Sequence, residues 1–170
     1  MDLVKMGGEF TVTCRDKFGN FKWRDTIKNT VVNEGLAYIL ERIFRGNESS
    51  GEQSVAPWFV GLTASGEGAA ATDGIGDVSE FSAYTGTRKE FVETLNVSTP
   101  ATPTMNNTAS KASFTISSDS QTVGGAFLCS VDTGSSGTLL CGGTFTNGDK
   151  SDLDTDDTLE VEYVFQCSSS

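Results

Sequence analysis

Ala126-Phe127-Leu128-Cys129-Ser130-Val131-Asp132-Thr133-Gly134-Ser135-Ser136-Gly137-Thr138-Leu139-Leu140-Cys141 places two apolar runs on either side of six residues of turn chemistry. Short apolar runs bounded by Gly, Ser and Asp read as paired strands of a hairpin. Pairing symmetric about Ser135 sets Cys129 opposite Cys141 on one face. Directly opposed cysteines make poor disulfide geometry, so this register predicts two packed thiols.

The same punctuation recurs on both sides of this hairpin. Strands are expected near 78–84, 89–97, 111–117, 122–131, 138–146 and 158–166, with a further short buried one at Trp58-Phe59-Val60-Gly61-Leu62 after Pro57. Pro is tolerated where a strand begins, because its missing N–H is not needed there. Near the start, Phe10, Val12 and Cys14 alternate with Thr11 and Thr13, and the pattern resumes at Phe21 and Trp23 after Asp16-Lys17-Phe18-Gly19-Asn20. That is a second hairpin with one apolar face. Nineteen glycines and eleven phenylalanines with 21% charged residues agree with strands and tight turns. The class is mainly β, an antiparallel sandwich or barrel-like domain.

One segment breaks the pattern. Leu36, Ile39, Leu40, Ile43 and Phe44 follow a helical period, opened by Asn33 as N-cap with Glu34 behind it, and closed by Arg42, Arg45 and Gly46. A helix over 33–46 is expected to pack its stripe on the sheet. The chain divides into an N-terminal hairpin or arm, 1–28, and a β-sandwich domain with one helix, 29–170. The polar stretch 46–56 and the Ala-, Gly- and Asp-rich stretch 64–77 read as loops.

Charge is uneven. Residues 1–45 carry eight Lys/Arg against six Asp/Glu, whereas 46–170 carry four against seventeen, within a net charge of −11. An acidic body repels phosphate, so no nucleic-acid partner is expected. No run reaches the ~18 apolar residues that a membrane span needs, and the opening Met1-Asp2-Leu3-Val4-Lys5-Met6-Gly7-Gly8 has no apolar leader core. Those features predict a protein made and kept in a cytoplasm until assembly, with no membrane partner.

There is no histidine, which removes Ser-His, Cys-His and His-metal sites. Cys14, Cys129, Cys141 and Cys167 lie too far apart for a zinc ribbon or a dithiol motif and are expected free and buried, with one pair able to oxidise after release. Asp152, Asp154 and Asp156 carry the alternate spacing of a calcium loop, but Asp157 stands where the glycine belongs and Tyr163 where the bidentate glutamate belongs. The run 149–160 therefore reads as a solvated turn, with those three as a weak calcium candidate. Gly61-Leu62-Thr63-Ala64-Ser65-Gly66 fits neither a nucleophile elbow nor a phosphate loop. No enzyme activity and no cofactor are expected.

Six short strings together resemble small structural proteins of tailed phages. They are Asn29-Thr30-Val31-Val32-Asn33-Glu34-Gly35-Leu36, Trp58-Phe59-Val60-Gly61-Leu62, Lys111-Ala112-Ser113-Phe114-Thr115-Ile116, Gly125-Ala126-Phe127-Leu128, Gly143-Thr144-Phe145 and Asp157-Thr158-Leu159-Glu160-Val161-Glu162-Tyr163. The resemblance implies a capsid decoration (cement) protein on the virion exterior, assembled in the host cytoplasm, bridging the major capsid protein and commonly trimeric. It brings no catalytic residues with it. The arm is then the expected contact, with Phe10, Val12, Phe21 and Trp23 buried on the partner and Arg15, Lys17, Lys22 and Arg24 meeting its acidic groups. A tail, neck or fibre adhesin and a carbohydrate-binding module share the β composition. The first is expected to show repeats and the second a secretion signal.

Overall fold

The computed structural model describes residues 4–44, 57–96 and 103–169. Its strands are β1 (Val4–Arg15), β2 (Phe21–Lys28), β3 (Thr30–Val31), β4 (Phe59–Ala64), β5 (Lys89–Glu90), β6 (Thr94–Asn96), β7 (Thr104–Asn106), β8 (Ala112–Thr115), β9 (Gln121–Cys129), β10 (Leu139–Thr144), β11 (Lys150–Leu153) and β12 (Thr158–Ser169), with a helix α1 (Asn33–Phe44). They form two antiparallel six-stranded sheets. One runs β2-β1-β12-β7-β6 with β8 also on β12, and the other β3-β10-β9-β4-β5 with β11 also on β9. Both sheets are open, so the sandwich is correct and the barrel alternative falls away.

The first sheet is built on β1 and β12, which pair from Val4↔Ser169 to Arg15↔Thr158. Phe10, Val12 and Cys14 alternate inward and are fully buried, stacked against β12 residues such as Tyr163. Residues 4–28 are thus the middle and one flank of a sheet rather than an arm. The alternation that reads as a free hairpin face is the inner face of the core. Farther along, β12 changes partner from β8 at Val161 to β7 at Val164. The buried Asn107 bridges that gap, donating to the Val161 carbonyl at 3.1 Å and accepting from Tyr163 N at 2.7 Å.

The second sheet is buried on both faces along β9, where every residue from Val123 to Cys129 is buried. Leu128, Leu62 and Cys141 face the inter-sheet core, whereas Phe127, Cys129 and Leu139 form a second cluster with Val32 and Ile75 on the other side. Coverage on both faces is what makes a strand read as a continuous apolar run. Phe127 can lie flat across β4 because Gly61 beneath it has no Cβ; a side chain there would enter the ring.

The hairpin register differs from the symmetric one. Leu139 pairs with Cys129 and Cys141 with Leu128, across a bulge between Leu139 and Cys141. One extra residue flips the parity of all that follows. Cys129 and Cys141 therefore point to opposite faces of the sheet, one in each apolar cluster. All four cysteines are free thiols, and Cys14, Cys129 and Cys141 are buried.

Two expected strands resolve differently. Residues 78–84 make only isolated bridges, Thr63↔Glu80 and Tyr84↔Ile116, as the chain passes from one sheet to the other. The stretch 89–97 splits into β5 on the second sheet and β6 on the first, with buried Phe91 at the crossing and its N–H bonded to the Trp58 carbonyl at 2.7 Å. Periodicity cannot mark such a crossing, because both halves are extended.

The helix spans Asn33–Phe44, with the Val32 carbonyl accepting from Leu36 N at 3.0 Å, so the cap position falls at Val32, one residue before the Asn33 expected, and residues 45–46 lie outside the described ones. Glu34 Oε2 accepts from Leu139 N at 2.9 Å, tying the first turn to β10. Gly35 is buried against the Leu140 backbone, where a Cβ would collide. The helix therefore presents Gly35 and Ile39 to the sheet, and Leu36, expected in the buried stripe, is 36% exposed. The side chains of Leu40, Ile43 and Phe44 lie outside the described residues.

Candidate interface at the hairpin end

The turn between β1 and β2 is held by its own polar groups. Asp16 N donates to the Asn20 carbonyl at 2.9 Å and Gly19 N to the Asp16 carbonyl at 2.8 Å. The Asp16 carboxylate accepts from Phe18 N at 2.9 Å, Asn20 N at 2.8 Å and Asn20 Nδ2 at 2.9 Å. These bonds, the Asn20 side chain foremost, hold the Asp16 carboxyl below the usual range. Gly19 sits at φ 84°, a conformation open to glycine.

This fixed turn leaves two rings in water. Phe18 is 79% exposed and Phe21 61%. Phe21 stands opposite Arg15, on the outer side of the bulge between Cys14 and Arg15. Lys17 Nζ lies 5.3 Å from the centre of the Phe18 ring. Single exposed apolar residues are ordinary; here one exposed phenylalanine lies in the hydrogen-bonded turn and a second is the first residue of β2, three positions on.

Beside the hairpin end, the turns at 117–120 and 154–157 are laced together. Asp119 Oδ1 accepts from Thr155 N at 2.8 Å, and Asp154 Oδ1 accepts from Ser120 N at 3.2 Å. Hydrogen bonds from Thr155 lower the Asp119 carboxyl. Lys22 Nζ reaches the buried Asp157 carboxylate at 2.6 Å and the Asp152 carbonyl at 2.6 Å. An open groove of about 790 Å³ lies between these turns and the hairpin, lined by Asp16, Asp119, Asp154, Asp156 and Asp157 against Lys17 and Lys22.

The expected contact residues separate in space. Phe10 and Val12 are fully buried in the core and cannot meet a partner. Trp23 is partly buried, edge-on to Phe145 with ring centres 5.6 Å apart. Arg15 pairs with Glu160 at 3.4 Å and Lys22 with Asp157, so both cations already have internal counter-ions. Phe21, Arg24 and Lys17 remain outward. Phe18 escaped the sequence reading although it carried a signal, an aromatic between Lys17 and Gly19 in a turn that had no core to serve.

The calcium candidate is not assembled. Asp152 lies in β11 at φ 61°, Asp154 caps Ser120, and Asp156 sits in the next turn at φ 70°. Among the described residues no three acidic or cysteine side chains converge on a point where an ion could sit. The thiols are held in the protonated form: burial, with Asp157 adding to it, raises Cys14 to about 12, and burial raises Cys141 to about 11. Among the described residues no helix is long and apolar enough to cross a membrane.

Compared with protein families, with curated proteins and with solved structures, the chain finds no match in any of the three.

Proposed function

We propose that this chain is a structural virion protein of a tailed phage, a decoration protein that clamps neighbouring subunits of the major capsid protein on the head exterior as a trimer. The observation that carries the reading is the hairpin end, where a fixed turn holds Phe18 and Phe21 in water. Exposed rings on a pre-ordered scaffold bind without a large ordering cost, which suits a clamp that acts by burial and hydrogen bonding rather than by a chemical step. Most of the strings that resemble phage structural proteins lie in the framework, in β4, β8, β9, β10 and β12, so the hairpin is where a partner surface would be specific to this chain.

The test is re-addition to phage particles stripped of the protein. Wild type is expected to coat the head and raise the rupture temperature, and a Phe18→Ser/Phe21→Ser variant that melts like wild type is expected to do neither. Removal of residues 1–28 is no substitute, because it takes away β1 and β2. Stripped particles that are as robust as complete ones but no longer adsorb to host cells would replace the clamp with the adhesin reading.

A further inference from the structure

We propose that the groove beside the hairpin end takes a basic, apolar-flanked segment of a protein partner, its lysine or arginine among the carboxylates and its apolar neighbour on Phe18. This rests on reading the hairpin end as the contact surface, and it reverses the charge expected of that partner. Sequence alone assigns the cations of the hairpin to acidic groups on a neighbour, but Arg15 and Lys22 are answered within the chain by Glu160 and Asp157. Once Lys22 and Asp157 cancel, the groove presents Asp16, Asp119, Asp154 and Asp156 against Lys17 alone. The excess of three negative charges attracts a cation, and a neutral sugar gains nothing from it.

The groove is also shaped before anything arrives. The Asp119–Thr155 and Asp154–Ser120 bonds fix two of its carboxylates, and the hydrogen-bonded hairpin turn fixes Asp16 and Phe18. Carboxylates held by hydrogen bonds keep their second lone pairs for an incoming donor. Phe18 borders the same groove, so one short segment can meet both kinds of surface.

A blocked pentapeptide alternating leucine with lysine and arginine serves as the probe, its glutamate-substituted counterpart as control, and amide NMR as the readout. The basic peptide is expected to shift residues 16–22, 117–121 and 153–157, with affinity falling as salt rises. Phe18→Ser, or Asp119→Asn with Asp156→Asn, is expected to weaken it about tenfold. Asparagine accepts the Thr155 bond at 119 and tolerates the left-handed backbone at 156, so the fold is kept. Asp132→Asn with Glu90→Gln, both exposed elsewhere, is expected to leave affinity unchanged.

Equal loss in that control pair, equal binding of the glutamate peptide, or no shift at the groove would overturn the proposal. Self-association of the protein abolished by Phe18→Ser would also overturn it and give the groove to a second copy. Peptide seated at the groove while re-added protein leaves particles unchanged sinks the virion reading and keeps this one. The opposite pair of results does the reverse.

Discussion

Asp25 is a residue whose charge is committed to the interior. It is 5% exposed, accepts from Lys150 Nζ at 2.5 Å and from Asn147 Nδ2 at 2.9 Å, and so links β2 of one sheet to β11 of the other. Burial would raise its carboxyl, but the hydrogen bonds from Lys150, Thr26 and Asn147 outweigh that and hold it below the usual range. A carboxyl depressed on folding adds stability above its unfolded pKa of about 3.9 and loses it as pH falls through the folded value. Asp25→Ala is expected to cost about 3 kcal/mol near neutrality, since it strands a largely buried ammonium. Wild type is then expected to lose more stability than Asp25→Ala as pH falls below about 4, as measured by urea melts carried down through that range. Convergence of the two at neutral pH would show that the pair contributes nothing. The thiols give a second test at this scale. In the native protein Cys167, the half-buried one, is expected to react with an aromatic disulfide reagent first, with Cys14, Cys129 and Cys141 reacting only on unfolding.

Among the elements, β1 shows how a correct local reading can carry a wrong role. Alternation at Phe10, Val12 and Cys14 identifies the strand and its apolar face. It is silent on whether that face meets a partner or the chain's own β12. Twelve register pairs with β12 and full burial of the three residues settle the second. Phe10→Ala is expected to cost about 3–5 kcal/mol in a denaturant titration. A change within about half a kcal/mol, the range of ordinary surface substitutions, would return β1 to the surface. The helix tells a similar story through Gly35. Its missing side chain lets the backbone approach Leu140, and that turns Leu36 towards solvent. Gly35→Ala is expected to destabilise by about 1–3 kcal/mol despite alanine's better helix propensity, because overpacking outweighs propensity at a backbone contact.

For the whole molecule, the main apolar cluster draws on both sheets, with Phe10, Phe114 and Tyr163 from one and Leu62, Leu128 and Cys141 from the other. A core shared in this way has no independent half, so both sheets are expected to unfold in one transition. The two tryptophans report on one sheet each, Trp23 in β2 and Trp58 just before β4. Trp23→Phe and Trp58→Phe should give fluorescence transitions that coincide with the far-ultraviolet signal of the same variant. Trp23→Phe is the milder change, since the buried indole N–H has no acceptor among the described residues. Separated midpoints would show two folding units.

What the sequence determined by itself was the class: strands at the alternating runs, one helix at the helical period, turns at Gly, Ser, Asn and Asp, and free thiols too dispersed for a metal motif. Those features are local, set by side-chain period and backbone preference within a few residues. Only the tertiary structure decided which apolar face meets which. It made Phe10 and Val12 core rather than contact, sent Cys129 and Cys141 to opposite faces through one bulge, gave Arg15 and Lys22 internal partners, and left Phe18 and Phe21 in water. The first three of those outcomes depend on segments more than a hundred residues apart in the chain or on a register offset of one. Neither leaves a mark in the local pattern from which a sequence is read.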